Sequence, residues 1–209
     1  MAVSLRRPIV LGSTNAGKLR ELRQLLAGVP VEVRGLGAYP EAELPEETGE
    51  TFAENARLKA TALARQLGCW VLADDSGLCV DALGGRPGVR SARYAGDDAT
   101  DERNVARLLD ELAGVDGARR TATFVCVVVL ASPERVLLEA EGRCEGRITR
   151  HPRGENGFGY DPVFFYPDFG ATFAEVSAEA KNAVSHRGRA LRALARQLPA
   201  LLAAHEEVS

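Results

Sequence analysis

Residues Pro8 to Leu26, PIVLGSTNAGKLRELRQLL, begin with an apolar run, pass through a polar loop from Ser13 to Gly17, and continue with Leu19, Leu22, Leu25 and Leu26 at helical spacing. A short apolar run bounded by turn residues reads as a strand, and apolar residues recurring every three or four positions read as one face of a helix. The stretch therefore predicts strand, loop and helix. Downstream, Val31 to Leu36 alternates like a second strand. The acidic stretch Glu41 to Glu50 leads into Thr51, and Glu54 three residues later completes a capping box that starts a helix from Phe52 to about Leu67. Trp70 to Ala73, WVLA, is a third strand, predicted to end at Asp74 and Asp75, followed by Ser76 and Gly77.

The later chain reads differently. Leu83 to Gly96, within ALGGRPGVRSARYAG, is a long loop rich in Gly and Arg, and Asp101 to Leu112 is a helix. Thr121 to Ala131 and Arg135 to Gly142 flank a Ser132-Pro133-Glu134 turn and predict an antiparallel hairpin, with Arg147 to Thr149 as a further short strand. Gly154 to Asp161, GENGFGYD, is a glycine-punctuated loop before the apolar Pro162 to Tyr166. From Ser185 onward, Leu191, Leu194 and Leu198 share a helical face. No internal repeat, low-complexity tract or flexible linker interrupts the chain.

A chain of 209 residues predicts one compact domain or two tightly joined lobes, and 45% apolar residues supply its core. The 26 Lys and Arg against 29 Asp and Glu leave a net charge of −3, which argues against a generic duplex-binding protein. No nucleic-acid partner is expected, and any polyanion bound must be small and locally gripped. Only Lys18, Lys59 and Lys181 among those cations are lysines, so each marks a place where a compact, movable point charge is wanted. Cys69, Cys79, Cys126 and Cys144 form no CxxC pair and lie among apolar residues, which predicts free thiols in a reducing compartment. MAVSLRRPIVLGS lacks an apolar stretch long enough for a signal peptide, and no later run approaches a membrane span. A soluble, cytoplasmic protein without a membrane partner is the expectation.

Gly12 to Lys18 has the GxxxxGK spacing of a phosphate-binding loop, whose amides and helix start attract anions. Leu19 breaks the match, because a P-loop places Ser or Thr there to hold magnesium. An ordinary βα turn has the same spacing. WVLA followed by Asp74-Asp75 also resembles a Walker B strand, so a P-loop phosphotransferase or ATPase stays open at this point, as does a catalytically silent nucleotide sensor. Two adjacent carboxylates repel unless a cation, a proton or hydrogen bonds compensate. Magnesium would do so, since it prefers carboxylate and phosphate oxygens. Glu47, in the acidic run just before the capped helix, completes such a set if that helix packs beside the first, which would place Glu47, Asn55 and Lys59 at the same strand ends.

The ordered series STNAGKLREL, EETGETFAENARLKA, ADDSGLCVDALGGRPGVRSARYAG, GENGFGYDPVFF and KNAVSHRGRAL resembles the inosine triphosphate pyrophosphatase family, in its bacterial dITP/XTP pyrophosphatase branch, over nearly the whole chain. The resemblance implies an α/β fold with a long mixed central sheet flanked by helices, two lobes with a substrate cleft, and one continuous domain over residues 1–209. It implies a triphosphate-binding loop of Ser13, Thr14, Asn15, Ala16, Gly17 and Lys18. It implies magnesium carboxylates Glu47 and Asp74, with Asp75 as proton acceptor at the same metal site and Ser76 touching substrate beside it. Lys59 is implied as a cationic phosphate or catalytic contact. Phe158, Gly159, Tyr160, Asp161, Lys181, His186 and Arg187 correspond to nucleoside-binding positions. The implied reaction is magnesium-dependent hydrolysis of ITP, dITP and XTP to the monophosphate and pyrophosphate, by a homodimer that cleanses the nucleotide pool.

The donors explain a base preference. Hypoxanthine and xanthine present a 6-oxo acceptor where adenine presents an amino donor, and Lys, Arg and His donate. A pocket built from Lys181, His186 and Arg187 leaves donors mismatched when adenine enters, whereas Phe158 stacks on any purine.

Overall fold

The computed structural model describes residues 7–206. Its strands are β1 (Arg7–Leu11), β2 (Val31–Gly35), β3 (Trp70–Val80), β4 (Thr121–Ala131), β5 (Val136–Ile148), β6 (Phe164–Tyr166) and β7 (Ala171–Thr172). They form one seven-stranded sheet in the order β2-β1-β3-β4-β5-β6-β7. β1 runs parallel to β2 and to β3, with Ile9 opposite Trp70 and Leu11 opposite Leu72, whereas β5-β6 and β6-β7 are antiparallel. The helices are α1 (Ala16–Leu25), α2 (Phe52–Leu67), α3 (Asp101–Glu111), α4 (Ala178–Val184) and α5 (His186–Glu206). This is the mixed-sheet α/β architecture that the resemblance implied.

The chain forms two compact units. The first comprises the described residues up to Asp75, Val127–Gly142, and the chain from Gly188. Its strand β1 has neighbours on both sides, which is why Ile9 and Val10 are fully buried and Pro8 to Leu11 is apolar without alternation. α2 starts at the expected capping box, Thr51 with Glu54, and ends at Gly68 in the left-handed conformation. Its buried face consists of Asn55, Ala56, Lys59, Ala60, Leu63 and Ala64. Three alanines keep that face flat against Val10, Val71, Ala73 and Val127, so the same face carries a buried amide and a buried ammonium close to the sheet.

The second unit comprises Ser76–Cys126 and Arg143–Arg187. Its core is aromatic: Phe124 lies 4.5 Å from Phe164, and Phe164 lies 5.0 Å from Phe173, centroid to centroid. Arg120, almost completely buried, donates to the carbonyls of Leu112, Ile148 and Thr149 at 2.8–3.0 Å and so ties the end of α3 to the end of β5.

Two elements differ from expectation. β3 does not stop at the aspartates but runs through them to Val80, because Leu78 and Val80 continue the buried pattern beyond the polar pair. β5 is a single strand in which Ala140, Gly142, Cys144, Gly146 and Ile148 are buried in strict alternation, so the separate strand expected at Arg147 to Thr149 is its end.

Candidate active site

The first unit holds the loop from Ser13 to Lys18, expected to bind triphosphate, and the acidic residues Glu47, Asp74 and Asp75. Asn15 caps α1, its Oδ1 accepting from the amides of Gly17 (2.8 Å) and Lys18 (3.1 Å), while its own amide donates to Ser13 Oγ (3.2 Å). Three of the loop amides expected to face a phosphate, those of Asn15, Gly17 and Lys18, thus already have an intramolecular acceptor. Thr14 and Ala16 are exposed, and Leu19, where a P-loop has its hydroxyl, packs over Gly35 of β2. The loop's charge comes from Lys18, whose Nζ lies 2.8 Å from both carboxylate oxygens of the buried Asp74.

Lys59 Nζ lies 2.5 Å from Glu47 Oε1 and 3.6 Å from Asp75 Oδ1. Glu47, from the acidic loop, and Asp75, from β3, therefore converge on one ammonium. Burial works against the Lys59 charge, yet Asp75 and Glu47 outweigh it and hold the group above the usual lysine range. Asp75 is 7% exposed, and Asn55 Nδ2 donates to its Oδ2 at 3.2 Å. Asn55, expected with Glu47 and Lys59 to border the strand ends, joins this cluster from one turn before Lys59 on α2.

Glu47, Asp74 and Asp75 offer hard oxygen donors, which suit magnesium in kind. Ammonium groups supply the counter-charge to all three. Among the described residues no group of three metal-ligand side chains is already drawn together, so a cation would have to share these carboxylates with the lysines.

The second unit contains a pocket of about 150 Å³ lined by Ser76, Phe158, Gly159, Tyr160, Asp161, Lys181, His186 and Arg187, all expected substrate positions. Small-molecule pockets usually measure roughly 300–1,000 Å³, so this one is sized for a flat part of a ligand, such as a base. Asp161 is its organiser: Oδ2 accepts from Phe158 N (2.9 Å) and from Lys181 Nζ (2.5 Å). Gly157, with φ of 78°, allows the turn to close on that carboxylate, where any Cβ would collide. Lys181 Nζ sits 4.5 Å from the centroid of the half-exposed Phe158 ring, and the Arg187 guanidinium 5.7 Å from it. His186 stacks on Phe124, with 4.7 Å between centroids and 10° between planes.

The sequence did not single out Asp101, Asn104 or Phe124, which also line this pocket. Asp101 accepts from Gly159 N at 2.6 Å. Asn104 accepts from Ala95 N and donates to the Ala92 carbonyl, and Tyr160 donates to the Ser91 carbonyl at 2.8 Å. Ser91 and Ala92 of the Gly/Arg-rich loop are themselves part of the lining, so that loop serves the pocket wall.

Comparison with known proteins converges on one family. Residues 9–197 match the model of the Ham1 family. The chain is 54% identical over 191 residues to a dITP/XTP pyrophosphatase of Geobacillus kaustophilus, covering 91% of this chain and 94% of that one. It is 53% identical over 197 residues to a dITP/XTP pyrophosphatase of Prochlorococcus marinus, covering 94% and 93%. Among solved structures, a HAM1 protein from Coxiella burnetii superposes with a TM-score of 0.87 at 44% identity, covering 92% of this chain and 98% of that one. At this breadth of sequence and backbone agreement, the chain belongs to the Ham1 family.

Proposed function

We propose that this protein is a nucleoside triphosphate pyrophosphatase that hydrolyses deaminated purine nucleotides, dITP, ITP and XTP, to the monophosphate and pyrophosphate. The observation that carries the reading is the convergence of Glu47 and Asp75 on Lys59, beside the Lys18-Asp74 pair, in a chain half identical to dITP/XTP pyrophosphatases. Asp75 accepts a proton from the attacking water as the bond between the α and β phosphates breaks. Lys18 and Lys59 hold the phosphates and the charge that develops on the departing pyrophosphate. Glu47 and Asp74, with Asp75 beside them, are the residues that would hold magnesium, which when bound neutralises phosphate charge and lowers the cost of bringing water to it. The pocket of the second unit receives the base, with Phe158 stacking on it and the donors of Lys181, His186 and Arg187 favouring a 6-oxo group.

The reading extends to a homodimer acting in a reducing cytoplasm. The four cysteines are free thiols, which supports the compartment, and among the described residues no helix is long and apolar enough to cross a membrane. There the enzyme removes deaminated purines before polymerases use them.

The test is product analysis with ITP, dITP, XTP, ATP and GTP, each with magnesium and metal-free. Pyrophosphate from the oxo-purines, with magnesium required, is the expected result. Asp75→Asn keeps the shape of the side chain but removes the base, so turnover should fall about 10²- to 10⁴-fold while nucleotide binding survives. Orthophosphate as product, a brisk ATPase in Leu19→Ser, or near-normal turnover by Asp75→Asn would defeat the reading.

A further inference from the structure

We propose that Asn55 is a positioning residue for Asp75, fixing the plane of that carboxylate and locking it to the loop that bears Glu47; the proposal rests on the hydrolytic reading above. Asn55 is fully buried on α2. Its amide works in both directions: Oδ1 accepts from Gly49 N at 2.8 Å and Nδ2 donates to Asp75 Oδ2 at 3.2 Å. Lys59, four residues on and hence on the same helix face, approaches the other oxygen, Oδ1, at 3.6 Å. A single rigid face thus addresses both oxygens of the proton acceptor from two sides, and a carboxylate held at both oxygens has little freedom to rotate.

The loop side of the contact is equally close. A Cβ on Gly49 would stand 2.7 Å from Asn55 Oδ1 and 2.7 Å from Glu54 Cβ, so the backbone approaches α2 as near as glycine alone permits. Two residues before Gly49 lies Glu47, on the Lys59 ammonium. Asn55 therefore measures the distance between the acidic loop and β3 with one amide. Asparagine has modest helix propensity, and a buried amide is tolerated only when its polar atoms are bonded, so packing alone does not account for it. An aspartate in its place would keep the acceptor for Gly49 but turn a second carboxylate against Asp75; alanine would lose both contacts.

The experiment measures kcat and KM for pyrophosphate release from dITP, with thermal unfolding, for wild type, Asn55→Asp, Gly49→Ala, Asp75→Asn and the Asn55→Asp/Asp75→Asn double variant. Because misplacing a reacting group by about 1 Å can cost about 100-fold, Asn55→Asp should lower kcat about 10- to 100-fold with KM within about threefold. Gly49→Ala should stay folded and lose about three- to tenfold in kcat, for the same reason in weaker form. In the Asp75→Asn background, adding Asn55→Asp should cost less than about twofold more, because residues acting through one group are not additive. A folded Asn55→Asp enzyme with wild-type kcat, a loss confined to KM, or an undiminished loss in the double variant would overturn the proposal. Should Asn55→Asp fail to fold, Gly49→Ala decides, and an unchanged kcat there is fatal. Wild-type enzyme that releases no pyrophosphate, by contrast, would remove the hydrolytic reading itself.

Discussion

Tyr94 shows how one side chain joins the Gly/Arg-rich loop to the body of its unit. Its hydroxyl donates to Glu111 Oε2 at 2.8 Å, and Arg107 and Arg86 pair with the same carboxylate at 3.0 and 2.9 Å. Arg107 also donates to the Tyr94 carbonyl and lies over its ring, 4.7 Å from the centroid. Burial, reinforced by the Glu111 hydrogen bond and charge, pushes the Tyr94 hydroxyl from its ordinary 10.0 up to about 12. The folded state thus keeps a proton that the unfolded chain releases near pH 10. The stability this group contributes is whole below that pH and is lost as the pH climbs towards about 12. Tyr94→Phe should cost about 1 kcal/mol at neutral pH through the lost hydrogen bond. Its deficit relative to wild type should shrink between pH 10 and about 12, as followed by denaturant unfolding across that range. A deficit that stays constant would show that the hydroxyl does not titrate with folding. Residue identity alone revealed much at this scale: the three lysines among 26 cations each hold a carboxylate, at Asp74, Glu47 and Asp161. For Asn55 the sequence gives only the place, beside Glu47 and Lys59 at the strand ends; an asparagine inside a helix carries no mark of the partners its amide will bond, here Asp75 and Gly49.

Local signals decided how far each element could be read. α2 matches its expected span because both ends carry self-contained chemistry, the capping box at Thr51 and the left-handed Gly68. The sequence ends β3 early because an acidic pair in mid-strand is unfavourable unless partners from elsewhere satisfy it; those partners, Lys18, Asn55 and Lys59, lie on α1 and α2. The glycines of β5 suggest a break in the sequence, although burial continues through Gly142 and Gly146. The short α4 leaves no signal in the sequence because seven residues give too little periodicity. The capping box of α2 matters beyond the helix itself. Glu54 Oε2 accepts from both Glu50 N (2.8 Å) and Thr51 N (3.1 Å), while Thr51 Oγ1 accepts from Glu54 N (3.1 Å). Thr51→Ala should therefore lower the unfolding free energy by about 1 kcal/mol, and Thr51→Ser should recover most of it. Equilibrium denaturation of the three proteins checks this, and equal stability of Thr51→Ala and wild type would mean that Glu54 alone secures the helix start.

At the scale of the whole molecule, the two units exchange chain inside secondary structure. The boundary falls between Asp75 and Ser76 within β3, between Cys126 and Val127 within β4, between Gly142 and Arg143 within β5, and after Arg187 within α5. No linker composition marks such crossings, which is why the sequence offers no boundary between the two units. The crossings also sort the chemistry: the carboxylates and Lys18 and Lys59 belong to the first unit, and Phe158, Asp161, Lys181, His186 and Arg187 to the second. Hydrolysis and base selection should accordingly be separable by mutation. Arg187 is the better probe of selection, because Lys181 also neutralises the buried Asp161 and its removal would disturb the turn that presents Phe158. Arg187, 7% exposed in the pocket, offers donors that a 6-oxo purine can accept and an adenine 6-amino group cannot. A hydrogen bond to a charged donor contributes about 1.5–3 kcal/mol, so Arg187→Ala should reduce the ITP-to-ATP ratio of kcat/KM by roughly 10- to 100-fold. On the proposed reading, in which Arg187 meets the base and not the phosphates, most of that change should appear in KM for ITP, with kcat within a few-fold of wild type. Steady-state kinetics on both nucleotides measure each quantity. A ratio that stays at the wild-type value would take base selection away from Arg187, and a collapse of kcat on ITP would show that the guanidinium serves the hydrolytic step itself.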